Sequence, residues 1–162
     1  MVNYNDLNTN KKYKVLFVCH GNICRSPMAE FIMKDLVKKK GVESRFEIAS
    51  CATSREEIGN SVYPPAKRKL AEHNISCQGK TARQFTKEDY DYYDYIIAMD
   101  RNNLRNLTPF VKEDKENKIS LMMSHCQENK DVADPWYTGD FEATWQDLFK
   151  ACTSLLQNLL VG

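Results

Sequence analysis

The stretch "YKVLFVCHGNICRSP", residues 13–27, decides most of the fold. From Tyr13 to Val18 it is almost wholly β-branched, aromatic or aliphatic, with apolar side chains at consecutive positions. That pattern marks a strand buried on both faces, as in a parallel sheet. A short loop follows at once. Ser26-Pro27 then reads as a helix start, with Ser as the cap and Pro at the first helical position. Met28, Phe31, Ile32, Leu36 and Val37 give that helix an apolar face, and Gly41 after three lysines is its stop.

The same alternation continues along the chain. "RFEIAS" (45–50), "YDYIIAMD" (93–100) and "NKISLMM" (117–123) are strand-like, and "YPPAKRKLAEHN" (63–74) is helical after its two prolines. From Phe141 to Leu160 apolar residues step by threes and fours, giving a long amphipathic helix with Cys152 on its buried face. Strands alternating with helices predict one α/β domain over 13–162, with a mostly parallel sheet covered on both faces. Residues 1–12 form a polar lead, read as flexible. The tyrosine cluster "YDYYDY" (90–95) is assigned to strand-edge packing. Segment 124–139 stays irregular, and loops of that length inside a compact domain tend to be functional.

Composition narrows the function. Hydrophobic residues make up 42% and charged residues 28% of 162, as in an ordinary globular protein. Lys plus Arg (23) nearly balances Asp plus Glu (22), so neither a nucleic-acid nor a membrane-surface partner is expected. The N-terminus lacks the apolar core of a signal peptide and no run is long enough to span a bilayer, so the chain is read as cytoplasmic. Six cysteines without a C-x-x-C pair argue against both a disulfide framework and structural zinc. No metal and no cofactor are called for. Cys51, Cys77, Cys126 and Cys152 are assigned to packing, and His73 and His125 to surface or capping positions.

The loop carries the chemistry. A strand-to-helix turn offers backbone N–H groups and a helix N-terminus as an anion cradle, here through His20, Gly21, Asn22, Ile23 and Cys24. Gly21 permits a crowded or left-handed backbone, and Asn22 tolerates one. Arg25 can grip two phosphate oxygens with its planar fork. Cys19 at the near end sits where such a field favours a thiolate, a nucleophile aimed at bound phosphorus. The chain has no G-x4-G-K-[ST], so the nucleotide-binding loop with its lysine and magnesium hydroxyl is absent. A departing ester oxygen needs a proton, and Asp134 in "ADPWY" is the candidate acid, with Trp136 and Tyr137 as an aromatic wall. Loops after the first and last strands emerge at the carboxyl edge of a parallel sheet, so the two stretches are expected to meet.

"CHGNICRSP" followed over a hundred residues later by "DPWY" resembles the low-molecular-weight protein tyrosine phosphatases. "FEIASCATSREEIGN", "TARQFTKEDY" and "YDYIIAMD" are similar to corresponding segments of that family, so the likeness covers almost the whole chain. The order, with C-x5-R early and the acid late, is unlike that of the larger tyrosine phosphatases. The resemblance implies a single three-layer domain, a four-stranded parallel sheet flanked by helices, with the phosphate loop after the first strand. It implies Cys19 as nucleophile, Arg25 as clamp and Asp134 as acid and then base. Asn22, Ser26 and Ser50 match positions that support the loop. Lys80 stands where the family commonly has a histidine, and a lysine only donates hydrogen bonds. Cys24 is implied as the partner of Cys19 in a redox switch. Arg55, Glu56 and Glu57 are implied at the pocket rim.

The substrate expected is a phosphotyrosine protein, handled by a monomer. Two further enzyme classes use a similar scaffold. Phosphoarginine phosphatases carry a threonine where Ile23 stands, and an apolar residue there suits an aromatic ring. Thiol-linked arsenate reductases relay electrons through two further cysteines, of which only Cys77 is suitably located. A non-catalytic phosphate-binding module is disfavoured because nucleophile and acid are both present.

Overall fold

β1 (Tyr13–Cys19) is buried from Val15 to Cys19, as its run of apolar residues predicts. In the computed structural model, which describes residues 12–161, it pairs in parallel with β2 (Phe46–Ala52) and with β3 (Tyr95–Ala98). β3 pairs in parallel with β4 (Ile119–Leu121), so the sheet runs β2-β1-β3-β4. The polar lead falls outside the described residues except for Lys12.

Helices α1 (Arg25–Lys39), α2 (Pro64–Ala71) and α6 (Phe141–Val161) cover one face; α3 (Lys87–Tyr92) and α4 (Arg101–Leu107) cover the other. Alternate side chains of β1 serve the two layers, as a pleated strand requires. Val15 and Phe17 pack with Met28 and Ile32 of α1 and Leu148, Cys152 and Leu155 of α6. Leu16 and Val18 pack with Phe85, Ile96 and Leu107. Side chains of this size each stabilise the fold by about 1.5–3 kcal/mol when fully buried. α1 ends where expected: Gly41, at φ 72°, donates to Lys38 O while Val42 N returns to Val37 O.

Three local expectations differ. α1 starts at Arg25, because Cys24 O already accepts from Met28 N at 3.1 Å. Ser26 is therefore inside the helix, and its hydroxyl faces Cys19 rather than capping the backbone. Pro27 is still harmless there, since the first-turn N–H groups have no helical acceptor. Tyr90 and Tyr92 lie on α3 and only Tyr95 lies in a strand, because Thr86 and Asp89 form a capping box that starts a helix. Segment 124–139 is not wholly irregular: a 3-10 turn spans Met122–Cys126, and the single helical turn α5 spans Pro135–Thr138.

Strand order positions the site. From β1 the chain crosses through α1 to β2 on one side, while β3 lies on the other. The loops after β1 and β3 therefore part at the carboxyl edge and leave a crevice between them. No helix among the described residues is long and apolar enough to cross a membrane.

Candidate active site

Cys19 ends β1 with 3% exposure, and the loop folds back over its sulfur. Asn22 adopts φ 61°, which aims its N–H at Cys19 Sγ, 3.3 Å away. A Cβ at Gly21 would stand 3.3 Å from Glu57 Cγ, a tight approach that the glutamate side chain would have to shift to relieve. Ser26 Oγ lies 3.0 Å from the sulfur and 3.3 Å from Cys51 O. Since Asn22 Nδ2 donates to Ser26 Oγ at 2.7 Å, the single serine proton is free to choose. Both Cys51 O and the Cys19 sulfur lie within its reach.

Asn22 is fixed in turn by Ser50, whose Oγ accepts from Nδ2 at 2.9 Å, and its own Oδ1 accepts from Arg83 N at 3.3 Å. Ser50 then donates to Glu30 Oε1 at 2.6 Å. Glu30 was not foreseen. On an amphipathic helix a glutamate reads as solvated, yet its side chain is only 5% exposed. Two lysines balance it: Lys34 Nζ at 2.6 Å from Oε2 and Lys80 Nζ at 3.2 Å from Oε1. Lys80 also donates to Ser50 O at 2.9 Å. It thus supplies donors to the supporting network and leaves the accepting role to Glu30.

Arg25 is buried to 2% exposure and is held from behind. Nη1 donates to Asp100 Oδ2 at 2.7 Å and to Val132 O at 2.9 Å. Burial disfavours its charge, but Cys19, the Asp100 hydrogen bond and Asp134 outweigh that, so the guanidinium pKa is raised. Asp100 also escaped the sequence reading, which ran the strand to it; the strand ends at Ala98 and Asp100 caps α4. Val132 N donates to Met99 O at 2.9 Å, pinning the segment before Asp134 to the end of β3. Asp134 caps α5 by accepting from Trp136 N at 3.1 Å, and its Oδ2 lies 3.4 Å from Arg25 Nη2. That last contact is longer than an ordinary hydrogen bond.

These groups open on one cleft of about 130 Å³, lined by Cys19, His20, Gly21, Ile23, Cys24, Arg25, Glu56, Glu57, Asp134, Trp136 and Tyr137. Every sequence-assigned substrate contact is there except Asn22, whose side chain lies behind the loop with Ser26 and Ser50. His20 Nε2 meets Glu56 Oε2 at 3.0 Å on the rim, whereas Arg55 turns away to Gln84. Burial, then the charges of Cys19 and Asp134, push the Cys24 thiol up to about 12. Burial likewise raises Cys51 and Cys152, which are packing residues as expected. His73 is exposed, as expected, and its ring stacks on Trp145 at 3.6 Å.

Comparison with known proteins agrees with this geometry. Residues 14–160 match the family described as low molecular weight phosphotyrosine protein phosphatase. The chain is 40% identical over 147 residues to the low molecular weight protein-tyrosine-phosphatase YfkJ of Bacillus subtilis, covering 90% of this chain and 94% of that one. It is 41% identical over 150 residues to the low molecular weight phosphotyrosine protein phosphatase of Sus scrofa, covering 90% and 94%. The crystal structure of Bacillus subtilis YfkJ superposes with a TM-score of 0.89 at 38% identity, covering 93% of this chain and 96% of that one. The chain belongs to the low molecular weight phosphotyrosine protein phosphatase family.

Proposed function

We propose that this chain hydrolyses phosphotyrosine in protein substrates, and small aryl phosphates, through a cysteinyl-phosphate intermediate and without a metal. The observation that carries the reading is the convergence of Cys19, Arg25 and Asp134 on a cleft walled by Ile23, Trp136 and Tyr137. Phosphate oxygens are received by loop N–H groups and by the guanidinium that Asp100 holds. These donors supply the positive field that a metal supplies in other phosphoryl-transfer sites.

In the first step the Cys19 thiolate forms an S–P bond as the P–O bond to tyrosine breaks. Asp134, in its acid form, gives the leaving phenolate its proton. In the second, Asp134 as carboxylate takes a proton from water, which forms the new P–O bond while the S–P bond breaks. Inorganic phosphate leaves and the thiolate is restored, with Ser26 and the Asn22 N–H stabilising it.

Ile23 favours an aryl substrate over a guanidinium one, because an apolar wall gains more from a ring than from a charged, hydrated group. The test compares a phosphotyrosine peptide with a phosphoarginine peptide, chelator present, for wild type and Cys19→Ser. Phosphotyrosine release lost at Cys19→Ser is the expected result. Preference for phosphoarginine, sensitivity to chelator, or activity surviving at Cys19→Ser contradicts it.

Cys24 adds a redox switch. Peroxide converts the Cys19 thiolate to sulfenic acid, and Cys24 sulfur then displaces the sulfenic hydroxyl as water to form a disulfide. Two equivalents of an external thiol restore both cysteines.

A further inference from the structure

Tyr63 touches both halves of the reaction centre. Its backbone N–H donates to Ile23 O at 2.9 Å, inside the phosphate loop. Its ring packs against Trp136 at 4.8 Å and 54°, directly beside Asp134. The ring also lies 6.1 Å from that of Phe141, the first residue of α6.

The two partners of that ring contact differ in how firmly they are held. Tyr63 precedes two prolines, which restrict it to an extended backbone, and it adopts φ −58° and ψ 134°. Its carbonyl accepts from Ala66 N at 2.9 Å and Lys67 N at 3.0 Å, fixing it to the start of α2. The acid is carried by a single helical turn whose aromatics are open to solvent, with Trp136 52% and Tyr137 83% exposed. The Asp134 carboxylate accepts from the backbone N–H of Trp136, so the single turn that carries the indole also holds the carboxylate.

We infer that Tyr63 is a positioning residue for the proton donor: its ring, anchored to the phosphate loop, sets Trp136 and through it the reach of Asp134. This role rests on Asp134 acting as the acid of the proposed mechanism. Tyr63 itself touches neither thiol nor phosphate.

The prediction separates proton delivery from everything else the fold does. kcat/KM reports steps only up to departure of the phenol. Phenyl phosphate needs a proton for that departure, whereas 2,4-dinitrophenyl phosphate does not. Tyr63→Ala should lower kcat/KM for phenyl phosphate by about two- to tenfold, the span a single aromatic pair can shift an equilibrium. For the dinitrophenyl ester the fall should stay under twofold, which also certifies an intact phosphate loop. Tyr63→Phe should restore the phenyl phosphate value, and Tyr63→Ala should add nothing in a Trp136→Ala background. Equal losses on both esters, no loss on either, no restoration by Phe, or an additive double variant would overturn the assignment. Failure of the phosphotyrosine reading shows separately, in the wild-type peptide comparison.

Discussion

Asp100 Oδ2 accepts from Arg25 Nη1 at 2.7 Å, while Oδ1 accepts from Asn103 N at 2.7 Å to cap α4. One carboxylate thus closes a helix and aims the Arg25 guanidinium. Asp100→Asn separates the two tasks, because an amide oxygen still caps but its NH2 group faces the guanidinium with the wrong polarity. A hydrogen bond between charged groups contributes about 1.5–3 kcal/mol. A fall of roughly ten- to hundredfold in kcat/KM for aryl phosphates is predicted, together with a lower thermal unfolding temperature, since the buried guanidinium loses its nearest carboxylate. A variant as active as wild type would show that Arg25 is oriented by Val132 O alone.

Glu30 links the loop to a buried charge balance. Glu30→Ala removes the acceptor of the Ser50 hydroxyl and leaves Lys80, whose side chain is 11% exposed, without its buried partner. Removing one member of such a pair costs about 3 kcal/mol. Adding Lys80→Met should recover most of that stability in urea unfolding, since the charge left over is gone. It should not recover kcat, since Ser50 and Asn22 remain unsupported. Recovery of both would reduce the network to packing.

Asp134→Asn preserves the acceptor for Trp136 N and so the turn of α5. Loss of the proton donor should lower turnover of phenyl phosphate by about 10²- to 10⁴-fold. The dinitrophenyl ester should lose much less. Equal losses would mean that Asp134 serves to orient Arg25 rather than to move a proton.

Oxidation should depend on pH through Cys24. With its thiol pushed up to about 12, Cys24 is neutral at pH 7, and the attacking thiolate fraction rises tenfold per pH unit below that value. Disulfide closure after peroxide should therefore accelerate by close to tenfold from pH 7 to 8, read by mass spectrometry of alkylated protein. Iodoacetate at pH 7 should label Cys19 and spare Cys24. A closure rate flat with pH, or early labelling of Cys24, contradicts this.

The residues given the proposed chemistry are more legible in the sequence than the groups that hold them. Cys19, Arg25 and Asp134 stand out because no packing role needs a thiol, a guanidinium and an Asp-Pro in those contexts. Asp100 and Glu30 do not stand out, since each has an ordinary local explanation, as the end of a strand and as an exposed helix charge. Only strand order reveals the difference, by bringing the end of β3 to Arg25 and the inner face of α1 to Ser50. Ser26 misled in the opposite direction. A Ser-Pro pair is a strong helix signal, but the carbonyl of Cys24 had already begun the helix. Tyr63 is legible as a helix start and not as a neighbour of Trp136, because that contact joins segments more than seventy residues apart.

The covalent intermediate is the central claim, and product partitioning tests it most directly. Aryl phosphates of different leaving groups are hydrolysed with glycerol present, and phosphoglycerol is measured against inorganic phosphate. If every substrate passes through the same Cys19 phosphate, the ratio is the same for all of them, whatever their individual rates. A ratio that changes with the leaving group would mean that water attacks the substrate itself, and that Cys19 is not the atom that carries phosphate.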